Sequence, residues 1–413
     1  MTSAPTPTPE AYVDATADPP SSGAPSRLSR RARVLRGLAG LVVITIVALI
    51  LHIYPSIRLL HCSGALGLGG AIAAGLIGAV GLVVCLIAGH VAKRDALGAA
   101  GDTWLGVIFQ LFVWTGIGEL LRLALTIAHV RERGAITALI VVGVVVMLLS
   151  WGAWRALGPV AITRPHIVLP RLHPDLDGLT IAQITDTHLS RFLGPRWASR
   201  IAKQAAELNA DIYCHTGDLA DGGTRLRDPA VDRLGAIDAE HRYYITGNHE
   251  YLSDAEHWAS RMRELGWEFL HNRHVVYHRG AGSLVIAGID DPTGTHSGIA
   301  GHGPDISAAL DGAPADVPVL LLAHQPKQAK DAAASGVDLQ LAGHTHGGQM
   351  WPFHYLVRAD QKYVAGLHDV NDRTQIYVSR GTGFWGPPFR IGARPEIALI
   401  TLRPAEPRVG VRE

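Results

Sequence analysis

Four apolar runs, 37–54, 64–91, 103–128 and 135–157, set the first limit on what this chain can fold into. Each comes near or exceeds the roughly 20 residues that cross the hydrocarbon of a bilayer. They read as four spanning helices, a transmembrane region over residues 37–157. A cleaved signal peptide is the competing reading of the first run, and the basic stretch from Arg30 to Arg36 suits one. That run is longer than a signal core, however, and no small-residue cleavage site precedes Pro55. Ahead of it, residues 1–30 are rich in Pro, Ser, Thr and Ala, so burial cannot repay the entropy of ordering them. A disordered tail is expected there.

Basic residues near the helix ends orient such a region. Arg30, Arg31, Arg33 and Arg36, then Lys93 and Arg94, then Arg155 and Arg164 fall on one side, against Arg58, Arg131 and Arg133 on the other. The expectation is a multi-pass cell-membrane protein, partnered by the lipid bilayer, with its C-terminal part in the cytoplasm. Inside the third run, Glu119 and Arg122 are three apart and can pair on one helix face, with an interhelical staple as the plainer alternative.

From about Arg164 the apolar runs shorten to strand length and alternate with helical or turn-rich stretches, which describes a soluble α/β domain over residues 165–405. The expected strands are 179–185, 211–216, 243–246, 284–289, 317–323, 339–342, 375–379 and 397–402, with a helix over 197–208. The 37 basic residues nearly balance the 36 acidic ones, so no stable nucleic-acid binding is expected. Cys62, Cys85 and Cys214 lie far apart and suggest neither a disulfide framework nor a thiolate metal site.

The chemistry-bearing residues fall directly after expected strands: Asp186-Thr187-His188, Gly217-Asp218-Leu219-Ala220-Asp221, Gly247-Asn248-His249-Glu250, His324-Gln325 and Gly343-His344-Thr345-His346. In open α/β sheets the loops at carboxyl strand ends converge on one rim, so five segments would deliver Asp, Asn and His to one place. Imidazole with carboxylate and amide oxygen suits divalent transition metals. Asp186 and His188, two apart on an extended segment, would face the same side, and His344 and His346 share that spacing. Each motif alone is weak, but their shared placement is hard to explain by packing.

This ordered series resembles the calcineurin-like metallophosphoesterase superfamily over residues 178–402, and the flanking 347–349, 377–381 and 394–396 look most like its membrane-associated phosphodiesterases acting on cell-envelope or lipid-linked substrates. The resemblance implies a β-sandwich flanked by helices and two divalent metal ions, Mn, Fe or Zn. One would be held by Asp186, His188, Asp218 and His346, the other by Asp218, Asn248, His324 and His344. Asp218 would bridge them, His249 would be catalytic at the leaving group, and Asp221 would support a ligand from behind, a turn or cap role being equally open. Gly222 stands where many members carry Arg. Two cations about 3.5–4 Å apart can bring a shared water's pKa towards about 7, which supplies the attacking hydroxide. The implied partner is a phosphodiester, small-molecule or lipid. A phosphomonoesterase, or a membrane sensor or transporter with a regulatory phosphoesterase-like part, is the alternative. The remaining histidines, among them His215, His271 and His302, read as surface or packing residues. Asp290 and Asp291 can stand behind the site, and Trp351, Phe384 and Trp385 either pack in the core or line a cleft.

Overall fold

The computed structural model describes residues 30–405. The tail expected over residues 1–30 lies, up to residue 29, outside the described residues.

Four long helices come first: α1 (Arg30–Ser56), α2 (Leu68–Leu86), α3 (Asp95–Ile127) and α4 (Arg133–Leu157). All four are long and apolar enough to cross a membrane. The third starts earlier than its apolar run, because Asp95 to Gly101 is small and helix-compatible and Asp95 complements the positive helix end. At 33 residues it is about 50 Å long, more than the roughly 30 Å of hydrocarbon, so one end stands outside it. Small residues let these helices approach: a Cβ on Gly118 would sit 2.8 Å from Val141. Glu119 does not pair with Arg122 as one helix face suggested. It takes Arg58 from the far end of the first span, Nε to Oε1 being 2.5 Å, so the pair staples two helices.

Among the described residues thirteen strands follow: β1 (Ala161–Thr163), β2 (His166–Leu169), β3 (Thr180–Ile184), β4 (Ile212–His215), β5 (Arg242–Tyr244), β6 (Glu268–Phe269), β7 (Arg273–Arg279), β8 (Gly282–Gly288), β9 (Val319–Leu322), β10 (Leu339–Ala342), β11 (Gly366–Asp369), β12 (Gln375–Val378) and β13 (Glu396–Pro404). One sheet runs β1-β13-β3-β4-β5-β6 with β2 beside β13, and the other β11-β12-β10-β9-β8-β7. Within them β3 to β6 are parallel, as are β8, β9, β10 and β12.

The inner faces meet in one core that includes Ile181, Cys214, Ile286, Leu322, Leu341 and Ile400. Helix α5 (Pro195–Ala206) covers the outer face of the first sheet with Trp197 and Ile201, while Ala309 and Ala332 cover the second. Strands buried on both faces carry continuous apolar runs, which explains Val-Leu-Leu-Leu in β9. The architecture is thus the expected α/β sandwich, preceded by four apolar helices.

The helices do more than precede it. Met350, Phe389 and Ile391 pack with Val107, Phe109, Leu148 and Ala153. Arg390 N donates to Gly152 O at 3.0 Å, and Gln110 Nε2 donates to Trp351 O at 2.9 Å. Gly106 has no side chain because the Phe389 ring occupies that space: a Cβ there would come within 2.6 Å of it. Two loops that follow the last histidine motif are therefore seated against α3 and α4.

Candidate metal centre

Both sheets point their carboxyl strand ends at one place. Asp186 follows β3, Asp218 follows β4, and Asn248 and His249 open the short helix α6 (Asn248–Ser253) after β5. His324 follows β9 and His344 follows β10. The convergence is across the end of a sandwich rather than along the rim of one open sheet. Backbone bonds tie the two halves: His344 N donates to Asp186 Oδ1 at 2.9 Å, and His324 Nδ1 donates to Thr216 O at 2.8 Å.

The loops reach this place by left-handed turns, not the extended geometry that two-residue spacing suggested. Asp186 (φ 52°), His188 (40°), Asp218 (54°), His344 (69°) and His346 (51°) all hold a conformation that side chains disfavour. Strain repeated in five residues of one site persists only where surrounding structure imposes it, and such strain marks functional sites.

His188 Nε2 lies 3.0 Å from His346 Nε2, and His346 Nε2 lies 3.3 Å from Asp186 Oδ1. A second group gathers Asp218, His324 and His344, with His324 Nε2 3.1 Å from Asp218 Oδ2. The same Asp218 oxygen is 3.5 Å from His188 Nε2, so one carboxylate borders both groups. Asn248 lines the same cavity, and its Oδ1 is buried without a hydrogen-bond partner, as is Asp186 Oδ2. Asp221 Oδ1 accepts from His188 Nδ1 at 2.9 Å and from His249 Nδ1 at 2.7 Å.

These bonds decide which nitrogen carries the proton. A carbonyl can only accept, so His324 donates from Nδ1, and its Nε2 faces the Asp218 carboxylate. Burial disfavours the His324 imidazolium, but the Asp218 carboxylate prevails and raises its pKa well above the usual range, so Nε2 carries a proton across that 3.1 Å gap, in the place a bound cation would take. His188 donates from Nδ1 to Asp221, which leaves its Nε2 to accept from His346 Nε2, whose proton is placed there by the Arg390 guanidinium beside His346 Nδ1. Each group brings carboxylate oxygens and imidazole nitrogens close enough together to hold a cation.

Charge follows the same pattern. Burial opposes ionisation of Asp186 and Asp218, yet the imidazoles, His346 for the first and His324 for the second, hold both below the usual carboxylate range. Burial also disfavours the imidazolium of His249, but the Asp218 and Asp221 carboxylates prevail and raise its pKa to about 10.

Two residues with no role in the sequence reading support the centre. Buried Glu250 accepts from the backbone N–H of Gly247 (2.5 Å), Asp218 (3.1 Å) and Leu219 (2.6 Å), fixing the loop that carries Asp218. Its place directly after Gly-Asn-His was the available signal. Buried Arg390 donates to His346 O (2.7 Å) and Arg380 O (2.8 Å), and its Nη2 lies 2.9 Å from His346 Nδ1. Nothing in Pro-Phe-Arg-Ile announces that. Arg390→Met would strand at least two buried carbonyls, so a loss of about 2–4 kcal/mol is expected, read as a lower denaturation midpoint of the detergent-solubilised protein. The flanking segments known only by likeness brace each other: Arg380 Nη1 pairs with Glu396 Oε2 at 2.9 Å.

His215 is a core residue, buried against Tyr244 and Trp267, and burial lowers its pKa to about 3. His271 and His302 are not isolated, since both approach the buried Asp290 carboxylate, at 2.8 and 3.3 Å. Asp291 Oδ2 accepts from Gln325 Nε2 at 2.7 Å. Phe384 is buried, while Trp385 is partly exposed and lines the cavity beside Asp218, Asn248 and His344. Trp351 packs against Trp114 of α3.

A two-sheet α/β sandwich whose strand ends gather Asp, Asn and His defines a metallophosphoesterase. The family model for the calcineurin-like phosphoesterase matches residues 179–348. A "Transmembrane protein with metallophosphoesterase domain" of Danio rerio is 34% identical over 313 residues, 72% of this chain and 71% of that one. Its namesake of Bos taurus is 34% identical over 310 residues, covering 72% and 68%. An uncharacterized metallophosphoesterase of Campylobacter jejuni is 29% identical over 317 residues, 73% of this chain and 82% of that one. The chain belongs to the calcineurin-like phosphoesterase family, as a membrane protein with a metal-dependent phosphoesterase domain.

Proposed function

We propose that residues 165–405 form the catalytic domain of a phosphodiesterase working with two divalent ions, Mn, Fe or Zn, on a small-molecule or lipid phosphodiester. The observation that carries this reading is Asp218, whose one oxygen lies 3.5 Å from His188 Nε2 and 3.1 Å from His324 Nε2 and so borders both groups. Asp186, His188, Asp218 and His346 would hold one ion; Asp218, Asn248, His324 and His344 would hold the other. When bound, such a pair activates water for attack and neutralises phosphoryl oxygens. His249, held protonated beside Asp221 Oδ1, stands ready to give a proton to the departing oxygen. Asp221 also fixes the His188 ring, so it positions both histidines rather than binding an ion.

A diester is favoured over a monoester by the lining of the cavity at the centre. This space of about 370 Å³ includes Phe353, Leu356, Val357 and Trp385 but no Lys or Arg. A dianionic monoester would meet only His249 as a cationic side chain there, with no Arg or Lys clamp, whereas the apolar wall accepts a second ester substituent. Purified full-length protein with manganese is expected to hydrolyse bis(p-nitrophenyl) phosphate faster than p-nitrophenyl phosphate; the reverse order would identify a monoesterase. We further propose that the helices over residues 37–157 are the membrane region and that the catalytic part faces the cytoplasm, on the charge bias of Lys93, Arg94, Arg155 and Arg164. Protease added to inverted vesicles should then cut residues 165–405, and cutting only in intact cells would reverse the topology.

A further inference from the structure

Resting on the phosphoesterase reading, we propose that the substrate is a phosphoester of a membrane amphiphile, with its apolar chain in a groove along α3 and its head passing over the α2–α3 connection to His249. Three neighbouring cavities with shared walls mark the route. His249 and Trp385 line the cavity at the metal centre and also a second one of about 470 Å³, walled by Gly89, His90, Lys93 and Asp102 from the membrane helices. Ala99 and Phe192 line that second cavity and also a third space of about 510 Å³, otherwise bounded by Ala100, Trp104, Ile108 and Leu111. Phe192 belongs to the loop that follows Asp186 and His188, so the catalytic domain itself walls the membrane end of the path.

The chemistry changes along the route as an amphiphile requires. In the middle cavity, Asp95 is taken by Arg227 at 2.7 Å and Asp102 by His90 at 2.9 Å. Lys93 and Arg191 make no ion pair among the described residues and are the cations an anionic phosphoester would meet between bilayer and centre. The third space is lined almost wholly by apolar side chains and spans residues 99–111, about 18 Å of helix.

Its depth follows from the aromatic residues. Gly106 of α3 and Gly152 of α4 both meet Phe389, so they share one level. Trp104, Trp151 and Trp154 stand near it, 50%, 40% and 61% exposed as residues, the signature of the headgroup layer. The groove thus opens at headgroup level and descends along Val107, Ile108 and Leu111 into hydrocarbon. A soluble head group has no access to that floor; an alkyl or isoprenoid chain does.

The test compares two p-nitrophenyl phosphodiesters, one with a butyl and one with a hexadecyl ester, on manganese-loaded full-length protein in one detergent. Partitioning alone can favour the long chain, so the readout is the hexadecyl-to-butyl ratio of kcat/KM in the wild type, Ala100→Trp and Thr103→Trp. Both positions line only the groove. The expected result is a ratio lowered about tenfold or more in both variants with butyl turnover unchanged, since each buried methylene contributes to binding. An unchanged ratio with a bulky groove would overturn the proposal and leave the phosphoesterase reading standing. Absence of butyl turnover in the wild type would instead overturn that underlying reading, and this one with it.

Discussion

Asp218→Asn is expected to lower kcat by about 10³-fold or more, because the one carboxylate that borders both halves of the centre loses its charge and one of its oxygens as a ligand. Asparagine has the same shape and can still accept the Asp218 Oδ1 bond from His249 N at 2.9 Å, so the loop should stay folded. The loss should therefore appear in turnover and in metal content by mass spectrometry, with little change in melting temperature. Wild-type activity in this variant would remove the bridging role.

His249→Ala is expected to cost about 10²–10⁴-fold when the leaving group is an alkoxide, the usual contribution of a positioned general acid. With p-nitrophenolate, which departs without needing a proton, the loss should be far smaller. The measurement is kcat across a series of leaving groups, where the variant should show a steeper dependence on leaving-group pKa than the wild type. Equal losses across the series would make His249 a phosphate-positioning residue. Its bond to Asp221 predicts that Asp221→Asn reproduces part of this pattern, since the neighbouring carboxylate is among the groups that keep the imidazole charged.

Much of this centre was legible from residue order because each candidate metal-holding residue stands at the end of an apolar strand. All eight strands expected from their apolar runs are present, with ends shifted by one or two residues at most positions. The strands that escaped notice are short or sit at sheet edges: β6 has two residues, and β7, Arg-His-Val-Val-Tyr-His-Arg, carries polar residues that solvent accepts at an edge. Strand β11 escaped for the same reason, its four residues being only partly buried. The helix expected over 197–208 begins instead at Pro195, whose fixed φ suits a first helical position.

The left-handed turns at Asp186, His188, His344 and His346 had no signal, since glycine is the usual mark of such geometry and none stands at those positions. Arg390 was equally silent. Its partners His346 and Gly383 are brought to it by a chain path that leaves the sandwich, meets α4 at Gly152 and returns. The bond from Arg390 N to Gly152 O joins residues more than 200 positions apart, and no local pattern encodes such a contact. The same holds for Arg58 and Glu119, which a helix-face rule assigned to Arg122.

That path also changes the standing of the apolar helices. Arg390 touches His346 on one side, and its own backbone N–H is held by α4 on the other. The geometry of the centre is thus braced by the membrane region, and removing the helices would expose Met350, Phe389 and Ile391 as an apolar patch.

The most direct measurement is electron paramagnetic resonance of the full-length protein titrated with manganese. A pair of ions sharing the Asp218 carboxylate should bind to two per chain and give the broadened spectrum of exchange-coupled ions. Saturation at one ion per chain, with the sharp lines of isolated manganese, would contradict the two-ion centre.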